Sequence, residues 1–144
     1  VTANNYGITR SSSPAEQIWA GVSFIKWLDD RFIDDIPDKS ERIKFILASY
    51  NIGYGHIEDA RRLADRYGAD PNIWYGSVEE WLLKKADPDY YTDKVVKYGY
   101  ARGIETYNFV KEVIDRYEHY KNIVNSDALA AWRPIEEIHS TSLQ

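Results

Sequence analysis

Apolar residues recur at spacings of three and four along much of this 144-residue chain, which is the period of an amphipathic helix. In the first such stretch, Ile18, Trp19, Val22, Ile25, Leu28 and Phe32 share a side while Lys26, Asp29 and Asp30 turn outward. That pattern predicts one buried stripe. Its start is signalled by "SSSPAEQIW": Ser13 can cap, Pro14 suits the first helical position, and Glu16 can reach back to the cap's amide. Pro37 then disfavours helical geometry at Ile36. Asp38 with Glu41 can form a second capping box, opening a helix that carries Ile43, Ile46, Leu47 and Tyr50.

The second helix runs into "ASYNIGYGHIEDAR", residues 48–61. Gly53 takes a left-handed backbone angle at least cost, so the helix is expected to end there. A third is expected from about Ile57, with Ile57, Ala60, Leu63, Ala64 and Tyr67 inward and Gly68 as its stop. Ser77 and Glu80 repeat the capping spacing before Trp81, Leu82 and Leu83. A short helix in "TDKVVKYG" should break around Gly99, and a longer one should present Phe109, Val110, Val113, Ile114, Tyr117, Tyr120 and Val124. Residues 125–144 read as a tail with a short helical piece up to Trp132, stopped by Pro134. No segment alternates apolar and polar residues over a strand's length, and no Asn-Gly hairpin signal occurs. The fold class is therefore all-α, with about six to seven helices and room for one core.

Composition narrows the chemistry. Aromatics make up 15% of the chain, including 12 tyrosines and 5 tryptophans, more than packing alone usually needs. Rings with an apolar face and a polar edge suit carbohydrate, which offers C–H groups on its faces and hydroxyls at its rim. The plainer reading is a tyrosine-rich core. A net charge of −5 and the lack of a basic stripe exclude nucleic acid as an expected partner. With no cysteine, thiolate nucleophiles and disulfides drop out. The chain opens on Val1 and holds no methionine, which leads us to expect a processed or trimmed piece of a longer polypeptide.

Motif chemistry is sparse. His56, His119 and His139 stand far apart in the sequence and form no ligand pair, so no metal is expected. Asp34, Asp35, Asp38 and Glu41 lack the spacing and glycine of a calcium loop. "YNIGYG" follows a helix rather than a strand and lacks the Lys-Ser/Thr ending of a phosphate loop. No other cofactor is implied. What remains is Tyr50 and Asn51 at a glycine-permitted corner, with Glu105, Tyr107 and Asn108 at another helix start. Such a set can form a sugar cleft. Taken alone, Gly53 reads first as a helix cap and Tyr50 as a core ring.

Three stretches in order change that balance. "AEQIWAGVSFIKWLDDRF", "SYNIGYGHI" and "RGIETYNFV" resemble, respectively, the "dPeqsI-x-aGv-x-yL" helix, the A-Y-N-x-G-x-G-x-[VI] motif and the E-T/A-x-x-Y-V motif of lytic murein transglycosylase catalytic domains. These are the soluble-lytic-transglycosylase, goose-lysozyme-like domains, and the likeness is strongest to the C-terminal module of the membrane-bound F family. It covers about Thr2 to Lys121. The resemblance implies a lysozyme-like helical domain, present here as its C-terminal portion, with residues 1–124 as the domain part and 125–144 as the tail.

In that family one glutamate of an E-S motif protonates the glycosidic oxygen between N-acetylmuramic acid and N-acetylglucosamine. It then takes the proton of the muramoyl 6-hydroxyl, which attacks C1 and gives a 1,6-anhydro product. The E-S pair and a following G-x-M-x segment would precede this chain, and none of its glutamates is followed by serine. The resemblance thus implies that the general acid is missing and the fragment inactive alone. It implies supporting or substrate-binding roles for Tyr50, Asn51 and Glu105, peptidoglycan strands as partner, and a periplasmic, outer-membrane-attached parent with an N-terminal solute-binding-like domain. Ser49 stands where the family often has Ala, and Phe109 where it usually has Tyr. The rival readings are a non-catalytic peptidoglycan-binding or regulatory module, and a helical interaction domain whose aromatics are all core.

Overall fold

The computed structural model describes residues 7, 9 and 11–131, with side chains through Ser126. Among the described residues the chain is all helical: α1 (Pro14–Phe32), α2 (Lys39–Ile52), α3 (Tyr54–Arg66), α4 (Glu79–Lys84), α5 (Pro88–Tyr91) and α6 (Ile104–Ala131). The chain divides after Val110 into two compact units. In the first, α1 packs on α2, α2 on α3 and α3 on α4. Its core is built from Leu28, Phe32, Phe45, Ala48, Ile57, Ala60, Leu63, Trp74, Val78, Leu82 and Val110, all fully buried. Each large apolar side chain among them contributes about 1.5–3 kcal/mol by leaving water.

The capping box at α1 forms as its sequence indicates: Ser13 N–H donates to Glu16 Oε2 at 2.6 Å and Glu16 N–H to Ser13 Oγ at 3.3 Å. At α2 half of the expected box exists. Asp38 accepts from the amides of Ser40 and Glu41. Glu41, however, turns away to accept from Lys44 at 2.7 Å and from the Trp74 amide at 2.5 Å. Ser77 caps nothing and donates instead to the Asp70 carbonyl at 2.5 Å. Glu79 takes over by accepting from the Gly76 amide at 2.9 Å.

Two stripes differ from expectation, and a third departs only at its last residue. On α1, Leu28 and Phe32 near its C-terminal end are buried, yet Ile18, Trp19, Val22 and Ile25 are exposed. Trp19 is 72% exposed. On α2 the buried side is set by Arg42, Phe45, Ile46, Ala48 and Ser49, leaving Ile43 and Tyr50 outward. Arg42 can be buried because its guanidinium donates to Asp29 at 2.6 Å and to the carbonyls of Ile36 and Pro37 at 3.0 and 2.9 Å. On α3 the expected stripe is buried except for Tyr67, and Gly68, at φ 83°, stops the helix.

The short helix expected in "TDKVVKYG" is an irregular segment; the helical turn lies earlier, at Pro88–Tyr91, where Asp87 caps. In the second unit, the rest of α6 exposes Tyr117, Tyr120 and Val124. The helix runs unbroken to Ala131, so the helical piece expected after Asn125 continues it; Trp132 and Pro134 lie outside the described residues.

Candidate functional site

Gly53 ends α2 and also begins α3, at φ 106° and ψ 139°. A side chain is strained at that angle, and the sharp corner it allows starts α3 three residues earlier than the apolar spacing suggested. The Gly53 amide still closes α2 by donating to the Ser49 carbonyl at 2.9 Å.

Tyr50 sits in the last turn of α2 and is 52% exposed. Its hydroxyl lies 3.6 Å from where a Cβ on Gly21 would stand, so the phenol rests against α1. The ring is 5.9 Å from Phe24, which stacks on Trp27 at 5.9 Å and 18°. Trp27 meets Tyr54 edge-on at 5.1 Å, and Tyr54 continues to Phe32, Phe45 and Trp74. A ladder of rings therefore runs from the exposed phenol into the core, fixing Tyr50 from below. Burial pushes the Tyr54 phenol above its ordinary pKa, so it stays neutral.

Asn51 is exposed beside it. Its Oδ1 accepts from Thr106 Oγ1 at 2.6 Å, across 55 residues of sequence. Thr106 is buried in the first turn of α6. Glu105, its neighbour, extends outward with its side chain 75% exposed and faces Arg102 at 3.8 Å. The structure thus joins Asn51 to the α6 start through Thr106, and Glu105 stands one residue from that joint. Sequence reasoning overlooked Thr106, although it lies in the quoted "RGIETYNFV", and also Phe24 and Trp27, whose spacing put neither on the expected stripe.

Beneath the corner lies a buried ionic cluster. Asp59, fully buried in α3, accepts from Lys85 Nζ at 2.7 Å, from the amides of Lys97 and Tyr98 at 2.8 and 2.9 Å, and from Arg62. Burial alone raises its carboxyl; those four donors outweigh it and hold the group below the ordinary carboxylate range. Lys85, also fully buried, has its pKa lowered by desolvation and gives a second bond to His56 Nδ1 at 3.0 Å. An ammonium only donates, so His56 Nδ1 accepts and the imidazole proton is on Nε2. Burial and the Lys85 charge both lower the His56 pKa. Arg62 Nε also donates to the Val95 carbonyl at 2.8 Å and the Ala101 amide to the Lys85 carbonyl at 3.2 Å. The irregular segment from Asp93 to Ala101 is thereby tied to α3 and α4 along its length.

On the other side of α3, Arg61 donates to Glu58, Asp35, Asn72 and the Pro71 carbonyl at 2.7–3.0 Å, at the edge of an open, charged cleft of about 350 Å³. Four of its five N–H donors are occupied by the fold. Among the described residues no group of acidic, histidine or cysteine side chains is arranged to hold a metal.

Comparison with known proteins shows what the chain as a whole is similar to. No family model matches the chain. Over 121 residues, 84% of the chain, it is 42% identical to a membrane-bound lytic murein transglycosylase F from Desulfosudis oleivorans, 26% of which is covered. The same named protein from Marinobacter nauticus is 39% identical over 130 residues, 90% of this chain and 25% of the relative. That from Vibrio cholerae is 42% identical over 123 residues, 85% and 22% respectively. The chain is a relative of lytic murein transglycosylase F. It spans about a quarter of the length of the curated transglycosylases it matches. The all-helical build agrees with the resemblance read from the motifs.

Proposed function

We propose that this chain is the glycan-binding, C-terminal part of a peptidoglycan lytic transglycosylase domain. The observation that carries the reading is an exposed phenol and an exposed amide, Tyr50 and Asn51, on consecutive residues at the Gly53 corner of a transglycosylase relative. A pyranose presents C–H faces and hydroxyl or acetamido edges. An exposed ring backed by stacked aromatics suits the first, and an amide and carboxylate suit the second. Tyr50 would lie near the scissile bond, Asn51 would hold the turn or meet an N-acetyl group, and Glu105 would accept from sugar hydroxyls.

The reaction assigned to the complete domain splits the β-1,4 bond between N-acetylmuramic acid and N-acetylglucosamine. A carboxylic acid gives its proton to the leaving oxygen, and the carboxylate then takes the proton of the muramoyl 6-hydroxyl as that oxygen attacks C1. Because the nucleophile is tethered, its effective molarity of about 10⁵–10⁸ M outcompetes water, and no second catalytic carboxylate is needed. None of the chain's glutamates is followed by serine. The acid is therefore assigned to residues outside this sequence, and the chain by itself is expected to lose about 10²–10⁴ in rate, as when a general acid is removed. The parent is assigned to the periplasmic side of the outer membrane, carrying a solute-binding-like domain. Among the described residues no helix is long and apolar enough to cross a membrane.

The absence of a Glu-Ser pair also favours a second reading, a peptidoglycan-binding or regulatory module without catalysis. Digestion of purified sacculi, followed by mass spectrometry for 1,6-anhydromuropeptides, separates the two. The chain alone should release none, and a longer polypeptide with the E-S segment restored should release them. Release by the chain alone at the rate of the longer polypeptide would overturn the assignment of the acid. No release by either favours the binding module.

A further inference from the structure

The irregular segment after α5 carries a tyrosine that no motif singled out. Tyr98 is 61% exposed although its amide is bound by a fully buried carboxylate. Its amide donates to buried Asp59, as does that of Lys97, and Asp59 is itself locked by Lys85 and Arg62. The cluster therefore fixes the backbone that carries the exposed ring.

The ring's orientation follows from Gly55, in the first turn of α3. A Cβ at Gly55 would stand 2.7, 2.8 and 2.8 Å from Cε2, Cδ2 and Cζ of Tyr98. Three consecutive ring atoms at nearly equal distance put that point over the face of the ring. An edge-on approach would leave the flanking atoms much farther away. One face of Tyr98 therefore lies flat on the Gly55 backbone, His56 meets it edge-on with centroids 6.2 Å apart, and the opposite face is the exposed one. A glycine inside a helix costs about 1 kcal/mol relative to alanine. Here it is the residue that leaves room for the ring. Gly55 lies in the first turn of α3, two residues beyond the Gly53 corner.

We propose that Tyr98 is a second saccharide platform of the same groove, stacking its outward face on a pyranose ring next to the one held at Tyr50 and Asn51. Gly55 and Asp59 are the positioning residues that hold the platform flat and fixed. This assignment rests on the glycan-binding reading of the corner and extends it from one sugar to at least two.

The test is calorimetric titration of the chain with a soluble tetrasaccharide of alternating N-acetylglucosamine and N-acetylmuramic acid, alongside thermal midpoints. Tyr98→Leu should weaken binding about three- to tenfold with an unchanged midpoint, the range expected for loss of one stacking partner. Tyr98→Phe, which keeps the face, should bind within about twofold of wild type. Gly55→Ala should displace the ring and weaken binding similarly, without touching Tyr98 chemically. Wild-type binding that Tyr50→Ala weakens but Tyr98→Leu and Gly55→Ala leave intact overturns the platform alone. No binding by the wild-type chain overturns the glycan reading and the platform with it.

Discussion

Thr106 Oγ1 donates to Asn51 Oδ1 at 2.6 Å, a single bond that ties the last turn of α2 to the first turn of α6. It matters because it joins two of the three motifs on which the resemblance rests, far apart in sequence, and sets Glu105 beside the Tyr50 corner. Thr106→Val keeps the shape and removes the donor. We expect a loss of about 1 kcal/mol, the usual net worth of one such bond. Urea denaturation should show a lower midpoint with an unchanged slope.

The buried cluster predicts an asymmetry between its two fully buried members. Asp59→Ala strands the Lys85 ammonium and frees the amides of Lys97 and Tyr98, so it should cost about 3–5 kcal/mol, as for breaking a buried pair by removing one partner. Lys85→Met leaves Asp59 with Arg62 and both amides and should cost clearly less. Chemical denaturation of the two variants side by side checks the order; equal losses would show that the amide bonds contribute nothing.

Acid stability follows from the same groups. His56 is held below its ordinary value of 6.5 by burial and Lys85, with Asp59 acting in the opposite direction. Below 6.5 the unfolded chain therefore binds the more protons, and stability falls as pH drops from 6.5 towards the folded value. Asp59, held below 3.8, adds a second loss in the same direction as pH falls from 3.8 through its folded value. Thermal midpoints between pH 8 and 3 should decline in two stages. His56→Gln should remove the first stage and leave the second.

Ser49 is fully buried, and its hydroxyl has no hydrogen-bond partner among the described residues. An unsatisfied buried hydroxyl is unfavourable, and the resembling motif often has alanine there. Ser49→Ala should raise stability, by up to about 1 kcal/mol, with glycan binding unchanged. A lower thermal midpoint would mean that the hydroxyl is bonded after all.

Much of this fold was legible from local rules. The Ser13–Glu16 box, the Gly53 corner and the α3 stripe each depend on residues a few positions apart, and each formed. What failed depends on distant partners. Glu41 abandons the α2 cap because the Trp74 amide, 33 residues away, competes for it. The segment around Val95 to Tyr98 lies in a stretch expected to be helical, but Asp59 takes the amides of Lys97 and Tyr98, which a helix would need. The periodicity of Ile18, Trp19, Val22 and Ile25 marks an apolar face of α1 correctly, yet spacing cannot say whether anything covers it. The candidate site was legible in part: the motifs indicated Tyr50, Asn51 and Glu105 as candidates, whereas the proposed platform Tyr98 has no sequence signal until the space above Gly55 is known.

Co-sedimentation of the chain with purified peptidoglycan sacculi, comparing wild type with Tyr50→Ala and Asn51→Ala, tests the glycan groove most directly. The prediction is that wild type pellets with the sacculi and both variants stay largely in solution, with the Tyr50→Ala thermal midpoint within a few degrees of wild type because the ring is half exposed. Equal pelleting of all three folded proteins would contradict it, leaving Tyr50 and Asn51 as parts of a helix junction and nothing more.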